Sequence, residues 1–218
     1  MFEIDGRLIG ENEPPYIIAE ISANHNGKIE NAFEIIEMAK RSGADAVKMQ
    51  TYTPDTITLN SKEPDFMINE GLWAGNSLYD LYAEAYTPWE WHAELFEYAK
   101  RQEITIFSTP FDFSAIELLE KLNAPAYKIA SFECIDLPLI RAAASTGKPL
   151  IISTGMASES EIYDAVETAL KFGSGELALL HCVSGYPAPA QEYNLSTLNR
   201  WRVRSCRLRA LRDPLRRA

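Results

Sequence analysis

The 218-residue chain is 46% apolar and 24% charged, which suits one large or two small globular domains and excludes a disordered chain. Its net charge of −10 argues against a nucleic-acid binder, and three widely spaced cysteines (Cys134, Cys182, Cys206) fit neither a disulfide framework nor a zinc pattern, pointing to a reduced, cytoplasmic setting. No run of about 18 apolar residues and no leader-like N-terminus is visible, so neither a membrane span nor a signal peptide is expected.

Residues 1–13 read as a small hairpin about Asp5-Gly6, with Phe2, Ile4, Leu8 and Ile9 as its apolar residues, closing one end of the domain. A strand over 16–22 carries Glu20, and the loop 23–27 holds His25 in a surface or capping role. A helix over 29–42 follows, with Ala32, Ile35, Ile36 and Ala39 on one face and Gly43 as its stop. The second strand, 46–52, carries Lys48 and Gln50 two residues apart and so on one face. Residues 53–87 form a long insertion without clear periodicity, the kind of segment that serves as a lid; its aromatic residues, Trp73, Tyr79, Tyr82 and Tyr86, imply order through packing.

Thr87-Pro88-Trp89-Glu90 has the form of a capping box opening a helix to about residue 102, with Trp91, Leu95 and Tyr98 inward and His92 toward solvent. The third strand, 104–111, ends in Ser108-Thr109-Pro110, and Ser114-Ala115-Ile116-Glu117 reads as a second box heading the next helix. The fourth strand, 126–133, is apolar except for Lys128, Ser131 and Glu133 at its carboxyl end. Such groups are costly to bury unless they pair or serve a ligand. A helix from about Asp136 to Gly147, a fifth strand over 149–155 ending Ser153-Thr154-Gly155, a helix opened by the box Ser158-Glu159-Ser160-Glu161 and stopped at Gly173, and a sixth strand over 177–184 holding His181 complete the pattern, with a short helix near Ser196.

Strands and helices alternate six times, which predicts a parallel sheet with crossover helices. Polar residues stand at the carboxyl end of nearly every strand, the signature of a (β/α)8 TIM-type barrel, although eight units close a barrel and six are present; an open doubly wound sheet is the alternative, with its function gathered at one switch point. Lys48 and Lys128 project toward one mouth with Thr109, Ser131 and Ser153, an anion site suited to phosphate or carboxylate. Glu20 and Glu133 face the same mouth as candidates for acid–base work, while Gln50 and Tyr186 suit a polyol or amide.

AEISANHNG (19–27), VKMQTY (47–52), IFSTPFD (106–112), AYKIASFE (126–133), GKPLIISTGM (147–156) and LLHCVSGYP (179–187) resemble the sialic-acid synthases, (β/α)8-barrel enzymes that condense phosphoenolpyruvate with an N-acylated amino sugar. LYDLYAEAYTPWEWH (78–92) looks most like the pseudaminic acid synthase branch, whose sugar is a 2,4-diacetamido-2,4,6-trideoxy hexose; the N-acetylneuraminate branch, which uses N-acetylmannosamine, is the alternative. By that resemblance Lys48, Thr109, Lys128, Ser131 and Ser153 would hold phosphoenolpyruvate, Glu20 and Glu133 would be the catalytic carboxylates, and Gln50, Asn76, Ser184 and Tyr186 would touch the sugar. The resemblance also implies a divalent metal, Mn2+ or Mg2+, and a homodimer. Yet the family's Gly-Leu-Ser-Asp-His-Thr strand and its later strand with a second His, which bind that metal, are absent here, as is its C-terminal antifreeze-like domain.

Residues 1–199, net −17, are therefore expected to be a partial barrel. Residues 200–218, net +7 with eight Arg, read as a non-family tail, disordered or out of frame with a longer gene. A nucleic-acid or membrane arm is the other reading of the tail, although it lacks a helical apolar face before Leu208 and Leu211. Two further possibilities stand beside the synthase: an aldolase using Lys128 as a Schiff base, and a non-catalytic remnant.

Overall fold

The computed structural model describes residues 2–10, 12–71, 73–185 and 188–199. The hairpin forms as expected: β1 (Phe2–Ile4) and β2 (Arg7–Ile9) pair antiparallel, Ile4 opposite Arg7. Asp5 and Gly6 both take positive φ (50° and 81°), as a tight two-residue hairpin turn requires.

Six further strands follow, β3 (Ile18–Glu20), β4 (Ala46–Thr51), β5 (Thr105–Pro110), β6 (Tyr127–Ile129), β7 (Leu150–Ser153) and β8 (Leu177–Leu180), and they pair in parallel in chain order. Helices α1 (Ile29–Arg41), α4 (His92–Arg101), α5 (Phe113–Lys121), α6 (Leu137–Ser145) and α7 (Glu159–Phe172) make the crossovers. Sequential, all-parallel order is the arrangement of a (β/α)8 barrel rather than of a doubly wound sheet, whose order reverses at its switch point. Among the described residues the curled sheet has six strands, with β3 and β8 at its edges.

Strand alternation sorts the side chains into two cores. Val47, Met49 and Ile106 pack with Ala32, Ile36, Leu95 and Ala99 of α1 and α4. Tyr127, Ile129, Leu150 and Ile152 pack with Leu119, Ile140, Ala143, Ile162 and Val166 of α5, α6 and α7. Residues of opposite parity, Ala46, Phe107, Ala126 and Ile151, turn to the inner face and meet Ile4 of the hairpin, which is completely buried and floors the barrel.

Several local readings need correction. The fourth strand ends at Ile129, and Ser131 and Glu133 belong to a 3-10 turn (Phe132–Ile135) with Ser131 as its N-cap. The last strand ends at Leu180, so His181 lies beyond it, its Nε2 2.8 Å from the Tyr193 carbonyl. The box at Thr87 does not form, because Thr87 Oγ1 pairs with His25 Nε2 at 3.3 Å; a 3-10 turn (Trp89–Trp91) precedes α4. The carboxylate of Asp112 accepts from the amides of Ser114 and Ala115 and so displaces Ser114 as the cap of α5. Asp136 caps α6, and the Ser158/Glu161 box heading α7 forms as expected.

The insertion is built rather than loose. It contains α2 (Pro54–Ile57), a 3-10 turn (Pro64–Phe66), an isolated bridge between Met67 and Ser77, and α3 (Leu78–Ala85), whose cap Ser77 accepts from the Asp80 amide at 3.0 Å.

Candidate functional site

Above the apolar floor, the inner face turns polar at the strand tips. The parity that puts Ala46, Phe107, Ala126 and Ile151 inside also puts Lys48 and Gln50, Thr109, Lys128 and Ser153 inside, two or more residues further along their strands. The register places Glu20 beside Lys48 and Gln50 beside Thr109.

Lys48, 8% exposed, donates to Glu20 Oε2 at 2.7 Å and to Thr109 Oγ1 at 3.3 Å. Lys128 enters the same space two strands away. Burial, and then the nearby charge of Lys48, lower its pKa from 10.5 to about 8, against the smaller opposing pull of Cys182, Glu20 and Glu133. Two ammonium groups whose charges disfavour each other are thus held above a dry floor, with the hydroxyls of Thr109 and Ser153 also buried. Burial pushes the Glu133 carboxyl above its ordinary range, and its Oε2 is buried without a hydrogen-bond partner among the described residues. An acid in that condition is suited to carrying a proton, and an anion is the natural partner of the two lysines.

A tight approach closes the far side. A Cβ placed on Gly155 would lie 2.5 Å from Ser184 Oγ, 3.0 Å from Ser131 Oγ and 3.4 Å from Cys182 Cβ. Glycine is required there by crowding, and the crowding gathers Ser131 and Ser184 into one hydroxyl rim.

The structure therefore brings together Glu20, Lys48, Gln50, Thr109, Lys128 and Ser153 on the inner face and Glu133, Ser131 and Ser184 beside them. Asn76 is not in this group: it is exposed in the insertion, where its backbone amide bonds to the Trp73 carbonyl at 3.1 Å. Tyr186 and the tail 200–218 lie outside the described residues.

Two of the histidines are buried, His25 in the capping role expected of it and His92 against expectation. His25 is 1% exposed, accepts from the Gly27 amide through Nδ1 at 3.1 Å and sets its ring edge against Trp91. His92, expected in solvent, is fully buried with Nε2 2.9 Å from Thr51 Oγ1; burial lowers its pKa to about 4.

Sequence reasoning passed over Tyr52 and Cys182, both of which continue the inward alternation of their strands and could have been found by counting on by two. It also passed over Tyr82 as a site residue, which only the path of the insertion brings to the mouth: its ring meets Tyr52 edge-on at 5.7 Å and its phenol feels the charge of Glu133.

No group of three or more His, Cys, Asp or Glu side chains able to hold a metal ion occurs among the described residues. The described donors alone do not make up a site for the divalent metal that the resemblance implies.

Comparison with known proteins agrees with this geometry. The pseudaminic acid synthase of Helicobacter pylori is 51% identical over 186 residues, 85% of this chain and 55% of that protein. The corresponding Campylobacter jejuni enzyme (serotype O:23/36) is 47% identical over 83% of this chain and 52% of its own length. The chain thus spans about half the length of these curated relatives. The crystal structure of the N-acetylneuraminic acid synthetase of Leptospira borgpetersenii, in complex with citrate, superposes with a TM-score of 0.81 at 30% identity over 93% of this chain and 66% of that one. The NeuB family model matches residues 35–205. The chain belongs to the NeuB family.

Proposed function

We propose that the protein is a phosphoenolpyruvate-condensing synthase of the pseudaminic acid type, joining phosphoenolpyruvate to a 2,4-diacetamido-2,4,6-trideoxy hexose and releasing phosphate. The meeting of Lys48 and Lys128 over an apolar floor, ringed by Thr109, Ser131 and Ser153, supports this reading most directly. It offers two cations and several hydroxyls to a ligand bearing both phosphate and carboxylate. The names of the relatives support the same reaction, and the roughly 50% identity favours the pseudaminic branch over N-acetylneuraminate synthase.

In this reaction C3 of the enol attacks the sugar aldehyde and a C–C bond forms. Glu133, whose carboxyl burial pushes above its ordinary range, is the group placed to give a proton to the aldehyde oxygen. Positive charge develops at C2 of the former enol, water adds there, and Glu20 takes the proton that the water loses. The tetrahedral intermediate then collapses with loss of phosphate into the lysine cradle. Gln50 and Ser184 are sugar contacts in this scheme, with Tyr186 a candidate outside the described residues; the exposed Asn76 reaches the sugar only if the insertion folds over it. Because the described donors do not build a metal site, no step here is assigned to a metal.

The enzyme is proposed to be cytoplasmic and, at the full length of its family, a homodimer; no described helix is long and apolar enough to cross a membrane. Residues 1–199 are proposed as the barrel portion and 200–218 as a tail foreign to it. Phosphate release by the full-length gene product, measured with each sugar, tests the function: release dependent on the diacetamido sugar is expected, and none with either sugar overturns it. One observation favours a second reading. A buried lysine with its pKa near 8 beside another cation is the setting of a Schiff-base nucleophile. Borohydride trapping of pyruvate on Lys128 would favour an aldolase.

A further inference from the structure

The deeper part of the mouth is cationic and hydroxylated, as phosphate and carboxylate require. Further out, beyond the end of β4, the lining is different. Tyr52 stands at the tip of β4, two residues beyond Gln50 and 3% exposed. Phe111 backs its ring edge-on at 5.3 Å, and Trp89 Nε1 donates to its carbonyl at 3.0 Å. Tyr82, reaching in from α3, meets the same ring at 5.7 Å and 79°. Neither phenol has a hydrogen-bond partner among the described residues. Both stay protonated, since burial raises Tyr82 and takes Tyr52 to about 12. The charge of Glu133 reaches Tyr82, so the aromatic pair and the buried acid share one neighbourhood.

We propose that Tyr82, braced by Tyr52, is a specificity-determining residue that reads the deoxygenated, acylamino side of the sugar. This inference rests on the synthase reading above. A wall of two aromatic rings with free O–H donors and no cation offers a phosphate no countercharge. It suits a ligand surface of C–H groups and amide carbonyls, which take ring contacts and accept O–H hydrogen bonds. A methyl group at C6 lies against such rings without loss, whereas a hydroxymethyl group there leaves its hydroxyl to be desolvated. Tyr82 enters from the inserted segment, so the residue that chooses the sugar is carried by a different part of the chain from the residues that hold the anion.

The test measures binding to the 218-residue chain by titration calorimetry, separately for phosphoenolpyruvate, the 2,4-diacetamido-2,4,6-trideoxy hexose and N-acetylmannosamine. The wild type is expected to prefer the trideoxy sugar by roughly tenfold or more, about 1.4 kcal/mol. Tyr82→Ala should erase that preference while leaving phosphoenolpyruvate affinity within about twofold. Tyr82→Phe should keep most of the preference, because it keeps the ring. A preference unchanged in Tyr82→Ala, or phosphoenolpyruvate affinity falling along with it, overturns the inference and leaves the synthase reading standing. A wild type that binds phosphoenolpyruvate and neither sugar also overturns it; one that binds no phosphoenolpyruvate overturns both.

Discussion

At Lys128 the demands of binding and of folding pull in opposite directions. The unfolded chain holds the lysine proton up to about pH 10.5 and the folded chain only to about 8, so the folded state is penalised below 8 and gains stability as pH rises from 8 to 10.5. Lys128→Met is expected to stabilise the fold by about 1–3 kcal/mol at neutral pH and to remove that rise, while phosphoenolpyruvate binding is lost. Urea denaturation across the window, alongside calorimetric titration of the ligand, measures both; a variant less stable than the wild type would contradict the burial argument. Gly155 carries the complementary expectation. Its substitution by Ala drives a methyl against the hydroxyls of Ser184 and Ser131, and roughly a tenfold loss of phosphoenolpyruvate affinity should follow, with little change in thermal stability. An affinity equal to the wild type's would show that those hydroxyls do not serve the ligand.

Pairs of elements hold the site in register. Behind β4 and β5, on the helix side, a hydrogen-bonded row runs from Ser108 to Thr51, from Thr51 to His92 and from His92 to the carbonyl of Pro88. Its proton order is fixed. A carbonyl only accepts, so Nδ1 of His92 donates to it; the neutral ring then accepts at Nε2 from Thr51, which accepts from Ser108. The row ties together the two strands that carry Lys48, Gln50 and Thr109. Protonating His92 would remove its acceptor, and with the folded pKa near 4 against 6.5, stability should fall as pH drops from 6.5 to 4. His92→Leu is expected to flatten that acid limb in thermal melts while lowering stability at neutral pH; an unchanged limb would assign it to other groups. Ser158→Ala should cost about 1 kcal/mol through loss of the α7 cap, read from the melting temperature.

These elements also show what the sequence could reveal. The alternation of strands and helices, the hairpin turn at Asp5-Gly6 and the inward parity of Lys48 and Gln50 are local patterns, legible without coordinates. The caps at Thr87 and Ser114 were misread because competing partners, His25 and Asp112, lie outside the box itself. The burial of His92 was hidden because its partner Thr51 lies on a strand 41 residues away, and Tyr82 reaches the mouth only through the path of α2 and α3.

Across the whole molecule, the described sheet is curled but has β3 and β8 as edges, each with backbone groups facing outward. Phe132, Ile135 and Met156, all well exposed, follow β6 and β7 and add apolar surface near the mouth. The 218-residue chain alone is therefore expected to self-associate as its concentration rises, seen as growing weight-average mass in sedimentation velocity; a monodisperse monomer would contradict this. At the opposite end, the hairpin that buries Ile4 against Ala46, Phe107, Ala126 and Ile151 stoppers the inner face from below. Whatever settles on the lysines cannot leave through that floor, so its traffic is confined to the mouth and to the open side between the two edge strands, β3 and β8, of the described sheet.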